Sequence, residues 1–262
     1  MTRQLSATRR RPHGTGGTDG VKTPRRTQTD AALAELRSRI IDLTLPPGSR
    51  IDEQLLLSRF QLGRTPAREA INRLAAEGFV IIQPGRGGTF VRSLDFAEMG
   101  DIVVARQLVE NILAQQCRLE DETLAGDLAA MHQEYVAQIA ARDYLAITEV
   151  NERFHLRLHR TVGNSFFYDF AESTNRHNRR LNVYLYQLES AISDQHAWEF
   201  AHDIDEHAAI VEAVGERDYE RLRPLLTEHA RGTQRRLVRL LQDRAVDDFD
   251  LNVGRGAGLL GP

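Results

Sequence analysis

The chain has 262 residues, 41% of them apolar, and its 34 lysines and arginines against 37 aspartates and glutamates leave a net charge of −3. That length holds two modest domains with packed cores. The sequence has no apolar run of about eighteen residues and no apolar stretch behind its N-terminal arginines, which excludes a membrane span and a secretory signal within it. Cys117 is the only cysteine, so no intrachain disulfide forms, and a reducing cytoplasm is the expected setting.

Residues 1–28 carry Arg3, Arg9, Arg10, Arg11, Lys22, Arg25 and Arg26 against the single acid Asp19, with almost no apolar residue. Such a segment buries too little surface to fold alone. It reads as a disordered leader, with a basic arm adding phosphate contacts as the alternative. From residue 30 to 43, Leu33, Leu36, Ile40 and Ile41 recur on one helical face, with Thr29 or Asp30 as cap. Pro46-Pro47-Gly48 then makes a turn. A second short helix is predicted near residues 52–60. A third is predicted to start with Thr65 as N-cap and Pro66 at the first helical position. Its buried stripe is Ala67, Ala70, Ile71 and Leu74, and Gly78 ends it. Strands at 79–83 and 89–92 flank Pro84-Gly85-Arg86-Gly87-Gly88. Three helices and a hairpin within residues 29–93 describe a winged helix-turn-helix.

From residue 95 to 245 nearly every segment has helical periodicity, and Pro224 is the sole proline. Helices are expected near 96–119, 121–141, 144–162, 165–190, 196–215 and 218–244. The fold class is therefore mainly α: a winged domain followed by an all-α bundle of about six helices. Residues 246–262 read as a disordered tail.

Arginine is the commonest base reader, because its fork bonds guanine at two atoms. Arg64 and Arg68 lie at the start of the third helix, the end that enters the major groove in helix-turn-helix proteins. Thr65 and the first backbone N–H groups suit a phosphate, and Asn72 lies farther along the same helix. Gly87 and Gly88 let the hairpin approach DNA closely, with Arg86 at its tip. Two arginines alone would describe a solvated helix face; the capped helix and glycine wing after two more helices favour double-stranded DNA.

Nine histidines are present, and three stand out. Asn151 and His155 are four apart and share a helical face. His207 and His229 lie on later helices. Imidazoles from separate helices make a natural site for Zn, Ni or Mn, although a lone helical histidine is more often a surface or hydrogen-bonded residue. His155 and His159 form an H-x-x-x-H pair without the general-base glutamate of zinc proteases. Arg106 and Glu110, four apart, read either as a surface pair or as a carboxylate clamp. The polar run Arg176-His177-Asn178-Arg179-Arg180 reads by default as a solvated face.

The strings Leu45-Pro46-Pro47-Gly48-x-x-Ile51, GRTPAREAINRLAAEGFV (63–80) and GRGGTFV (85–91) resemble the N-terminal domain of GntR-family bacterial transcription regulators. Their usual signature is close to SRTPVREAL-x-RL-x-x-EG. Gly63 stands where serine is usual, and Gln54 where fatty-acid-responsive members carry arginine. The second domain resembles the helical ligand-binding (FCD) domain of the FadR subgroup, on Arg106 with Glu110, the NERFH block (151–155), Gly163-Asn164, and EH-x-x-I-x-x-A followed by a last-helix histidine. With about six helices it looks nearer the metal-binding, vanillate-regulator-like branch.

The resemblance implies a regulator and no catalytic residues. It places DNA contacts at Arg64, Thr65, Arg68 and the wing glycines. It matches a metal set to Asn151, His155, His207 and His229, with Asn151 where aspartate is usual and Asp203 as a substitute ligand. The expected ion is Zn, with Ni or Mn as alternatives. The expected effector is a small carboxylate or sugar acid beside Arg106 and Asn164. A homodimer on a two-fold operator in the bacterial cytoplasm, repressing until the effector binds, completes the expectation. A sensor in which the ion is the signal is the first alternative; a metalloenzyme fused to a DNA-binding domain is the second.

Overall fold

The structure, a computed structural model, describes residues 27–85, 87–190 and 196–242. The basic leader, except for Thr27 and Gln28, lies outside the described residues, as do Arg86 and the C-terminal tail.

Helix α1 spans Gln28–Ile41. Thr27, not Thr29 or Asp30, is its N-cap: the Thr27 hydroxyl accepts the Asp30 N–H at 3.1 Å, and the Asp30 carboxylate faces the Thr27 N–H. This reciprocal capping box satisfies two orphan donors and starts the helix earlier than the sequence suggested. Thr29 instead donates to Glu69 at 2.5 Å, tying α1 to the third helix. After α2 (Glu53–Ser58) comes α3 (Arg64–Ala76). Buried Leu33, Leu36 and Ile40 of α1 pack with Ala67, Ala70 and Leu74 of α3. Gly78, at φ +84°, reverses the chain after α3. Strands β2 (Val80–Gln83) and β3 (Gly88–Val91) form the expected hairpin, and a two-residue strand β1 (Arg50–Ile51) adds to its edge in the order β1-β3-β2. Gly87 is dictated by contact: a Cβ there would lie 2.5 Å from the Gln83 Cβ.

The second domain has α4 (Phe96–Gln116), α5 (Leu124–Ala141), α6 (Tyr144–His159), a 3-10 turn (Arg160–Val162), α7 (Ser165–Ser190), α8 (His196–Gly215), α9 (Tyr219–His229) and α10 (Gly232–Gln242). Helices α4 and α7 run antiparallel. Met99 and Val103 meet Leu181 and Leu185 at one end, while Val109 and Leu113 meet Phe167 and Ala171 at the other. Among the described residues the bundle thus holds seven α-helices rather than six. The predicted last helix is two, broken at Ala230-Arg231 just before Gly232, a poor helix former. Periodicity persists across that corner and does not register it, yet the corner turns α10 back over the bundle interior. No helix of the described residues is long and apolar enough to cross a membrane.

Candidate DNA interface and histidine centre

Helix α3 begins two residues earlier than the sequence suggested. Gly63 is the N-cap and offers no side-chain acceptor, so Arg64, Thr65 and Pro66 fill the first three helical positions. Pro66 is tolerated there because every N–H of the first turn lacks an intrahelical partner. The remaining first-turn N–H groups receive no side-chain cap, and their positive end suits a phosphate. Arg64, Thr65, Arg68 and Asn72 are all exposed. Arg73 is set apart by its ion pair with Asp30 at 2.8 Å, which joins α3 to α1. The wing brings a residue that the sequence reading missed. Arg50 pairs across β1–β3 with Phe90 and lays its Nε 3.2 Å from the point a Gly88 Cβ would occupy. Strand register was the only signal for it, and a two-residue strand leaves no trace in periodicity.

His155 of α6, His207 of α8 and His229 at the end of α9 converge, each offering a ring nitrogen within 4.8 Å of the others. The Nε2 atoms of His155 and His229 are 3.1 Å apart. Two nitrogens bound tetrahedrally to one Zn at 2.0–2.1 Å would lie about 3.3 Å apart, so the spacing fits a shared ion. His207 is buried with neither ring nitrogen partnered. An orphaned imidazole between two others is costly unless something binds it.

The outer partners orient these rings. His229 Nδ1 is 2.6 Å from Glu206 Oε2, which leaves Nε2 facing the centre. Arg235 holds the other oxygen of Glu206 at 2.9 Å. His155 Nδ1 lies 3.4 Å from Glu110 Oε1. His159 Nε2 meets the same oxygen at 2.8 Å, and Arg106 Nη1 donates to it as well. Carboxylates behind ligating histidines fix tautomer and ring orientation. The H-x-x-x-H pair therefore divides its work: His155 faces the centre and His159 braces Glu110.

Arg106 and Glu110 are 3% and 0% exposed, which corrects the surface-pair reading. Burial pushes the Glu110 carboxyl up, but the Arg106 guanidinium, with the His159 and His155 rings beside it, outweighs this and holds the group well below the usual carboxylate range. Burial, reinforced by Arg106, holds His155 well below the usual imidazole range. Burial, reinforced by His229 and His155, does the same to His207. Both rings are thus neutral near pH 7, the form that binds a metal. The burial of Arg106 and Glu110 fits the core spacing of Val103, Arg106, Glu110 and Leu113 in the sequence.

A cavity of about 50 Å³ opens beside the triad, lined by residues from each of α4 to α10. Arg106, Asn151, Asn178, Asn182 and Thr233 line it, together with Arg235, Arg236 and Arg239 of the turned-back α10. Four arginines and one acid, Asp203, belong to the lining. Arg106, Arg235 and Arg236 are held there by Glu110, Glu206 and Glu189, so their remaining N–H groups, rather than unpaired charge, are what an anion would meet. Asn151 lines the pocket. Asp203 lies near the Tyr135 hydroxyl, at 3.5 Å, and is not among the converging donors. Asn164 is elsewhere: it is exposed, and its Oδ1 accepts the Phe167 N–H at 3.1 Å to cap α7. The effector role expected of Asn164 gives way to this capping role.

Residues 28–91 match the model of the bacterial regulatory proteins of the gntR family, and residues 101–232, half of the chain, match the FCD domain. The chain belongs to the GntR family. Among its relatives, the Nta operon transcriptional regulator of Aminobacter aminovorans is 33% identical over 115 residues, 43% of this chain and 53% of that protein. The gluconate operon transcriptional repressor of Bacillus licheniformis is 28% identical over 50% of this chain and 54% of its own length. The chain thus spans about half the length of these curated relatives. The repressor RspR of Escherichia coli is 24% identical over 74% of this chain and 82% of its own length. In fold, a GntR regulator from Rhodococcus sp. RHA1 superposes with a TM-score of 0.66 at 20% identity, covering 80% of this chain and 98% of that one. E. coli McbR/YncC gives the same TM-score at 18% identity, over 84% and 99% of the two chains. The GntR and FCD assignments agree with the winged domain and the helical bundle described above, and the three curated relatives are named as regulators of transcription.

Proposed function

We propose that this GntR-family protein is a ligand-responsive repressor whose DNA affinity falls when a small organic or sugar acid binds beside a divalent ion. The observation that carries this reading is the histidine triad, two of its rings buried and one partly so, opening onto a pocket that four arginines line. The gluconate repressor among the relatives supports a sugar acid. His155, His207 and His229 would hold the ion, Zn by donor type with Ni or Mn as alternatives, and Asn151 supplies a further oxygen. The ion would supply positive charge for an anionic ligand. Arg235 and Arg106 orient the acid's other oxygens, and Asn178 and Thr233 select among hydroxyls. A cavity of about 50 Å³ has room for roughly four waters, which suits a small acid.

With Asn at position 151 the donor set carries no charge. Asn151→Asp is therefore expected to tighten Zn²⁺ binding about tenfold and to weaken binding of acids; competition with a chromophoric chelator measures the first. Equal Zn²⁺ affinity would remove residue 151 from the set. The function itself is tested by titrating Zn²⁺, and then Zn²⁺ with a panel of sugar acids, against an operator duplex. Release by acid supports the proposal. A switch driven by Zn²⁺ alone supports the metal-sensor reading, which the full burial of His155 and His207 favours.

The repressor acts as a homodimer on a two-fold operator. Val104, Leu108 and Ile112 recur four apart on α4 at 56%, 53% and 39% exposure, and Phe166 and Phe170 of the adjoining α7 are 85% and 44% exposed. An apolar stripe of this kind suits a second copy. Leu108→Glu is expected to give particles of single-chain mass in sedimentation and to weaken operator binding by about a hundredfold through lost avidity. A dimer that survives both Leu108→Glu and Phe166→Glu places the interface elsewhere.

A further inference from the structure

The polar run in α7 that reads as a solvated face is largely buried. Asn178 and Arg180 are 3% and 0% exposed. Helix α7 presents two working sides. Asn178, Asn182 and Tyr186 line the pocket. On the other side, His177 and Arg180 meet the DNA-binding domain.

His177 Nε2 donates to the carbonyl of Glu77 at 2.8 Å. Glu77 is the C-cap of the recognition helix α3, where backbone carbonyls lack helical partners. The His177 ring also stacks on Phe79, with centroids 4.1 Å apart and planes 11° apart. Three residues on, Arg180 donates to the carbonyl of Arg92, at the end of the wing. Arg92 in turn donates through Nε to the carbonyl of Gly78 at 2.7 Å and meets Glu98 of α4 at 3.3 Å. The turn Glu77-Gly78-Phe79 and the root of the wing are thus gripped by one short stretch of α7.

The grip is polar and incompletely satisfied. Arg180 Nε and Nη1 and His177 Nδ1 are buried without hydrogen-bond partners. Burial lowers the Arg180 guanidinium to about 10. Unsatisfied buried donors are retained where a structure has a use for them and weaken the hold of the arrangement that contains them. A seam made of a few directional bonds fixes orientation yet releases readily.

We propose that His177 and Arg180 are positioning residues for DNA reading: they set the orientation of the recognition helix on α7, the helix that also lines the pocket. A ligand that shifts α7 then acts on α3 at its C-terminal turn. This last consequence rests on the ligand-responsive reading above; the positioning role does not.

The test uses the full chain. His177→Phe keeps a ring against Phe79 and loses the N–H donor. His177→Gln restores a donor. Arg180→Met keeps length and removes the fork. Affinity is measured for a duplex selected by the wild-type chain from a random pool and for an unrelated duplex. Amide exchange is followed at residues 76–79 and in the cores of α4 and α6. His177→Phe and Arg180→Met are each expected to weaken the selected duplex about tenfold, the worth of one hydrogen bond and its ordering. Binding to the unrelated duplex, which depends on phosphate charge, stays unchanged. Exchange at residues 77–79 rises while the α4 and α6 cores stay protected, and His177→Gln recovers most of the lost affinity.

Selected-duplex affinity at the wild-type level in both variants overturns the proposal, as does faster exchange at 77–79 without loss of operator preference. If His177→Phe loses core protection, Arg180→Met and His177→Gln decide by the same two readouts. Neither readout needs ion or acid, so failure of Zn²⁺ or acid binding in the wild-type chain would sink the pocket reading and leave this result standing.

Discussion

Replacing Arg64 and Arg68 together by alanine is expected to erase the preference for operator over unrelated duplex. Each bidentate arginine–guanine contact contributes about 1–3 kcal/mol of discrimination, so the pair stands for about 2–6 kcal/mol, or roughly 30-fold to ten-thousandfold in affinity. The two side chains sit one turn apart on the exposed side of α3. Neither is part of the packed core formed by Ala67, Ala70 and Leu74, so the domain should stay folded. Arg73→Ala is the internal control. Its pair with Asp30 is half-exposed and contributes about 0–1 kcal/mol, so sequence preference should survive. Fluorescence anisotropy on both duplexes at two salt concentrations separates base reading from phosphate binding. A double variant that still prefers the operator would take α3 out of the groove.

His207→Ala is expected to abolish high-affinity Zn²⁺ binding, and Glu110→Gln to weaken it about 10- to 100-fold, the usual effect of removing a carboxylate behind a ligating histidine. The two act differently. His207 offers one ring nitrogen to the centre, and neither of its nitrogens is otherwise partnered. Glu110 stands behind it, against His155 Nδ1 and His159 Nε2. Thermal unfolding gives a second readout, because an ion that binds only the native state raises its stability by mass action. Zn²⁺ should raise the unfolding midpoint of the wild-type chain and leave that of His207→Ala where it was. Equal midpoint shifts in the two proteins would show that the ion binds elsewhere.

The local chemistry of the winged domain was legible in the sequence. Leu33, Leu36 and Ile40, Ala67, Ala70 and Leu74, the Gly78 stop and the glycine wing each follow from propensity or spacing, and all occupy the expected roles. The convergence of His155, His207 and His229 was also anticipated, because regular helices make side-chain direction predictable once a bundle is assumed. The errors have two origins, one local and one long-range. Thr27 took the cap because a reciprocal partner lay three residues on, and β1 exists only because β3 offers it an edge.

What the sequence by itself determined is the identity of each element and the face it buries, since both depend on neighbours within a few residues. What the tertiary structure alone decided is who meets whom across the chain. It placed Glu110 behind His155, turned α10 at Ala230-Arg231 so that Arg235 and Arg236 close over the pocket, and set His177 and Arg180 of α7 against Glu77 and Arg92. Those contacts join residues up to 100 positions apart, where periodicity carries no information. There, burial turns a charged run that reads as solvated into the joint between the two domains.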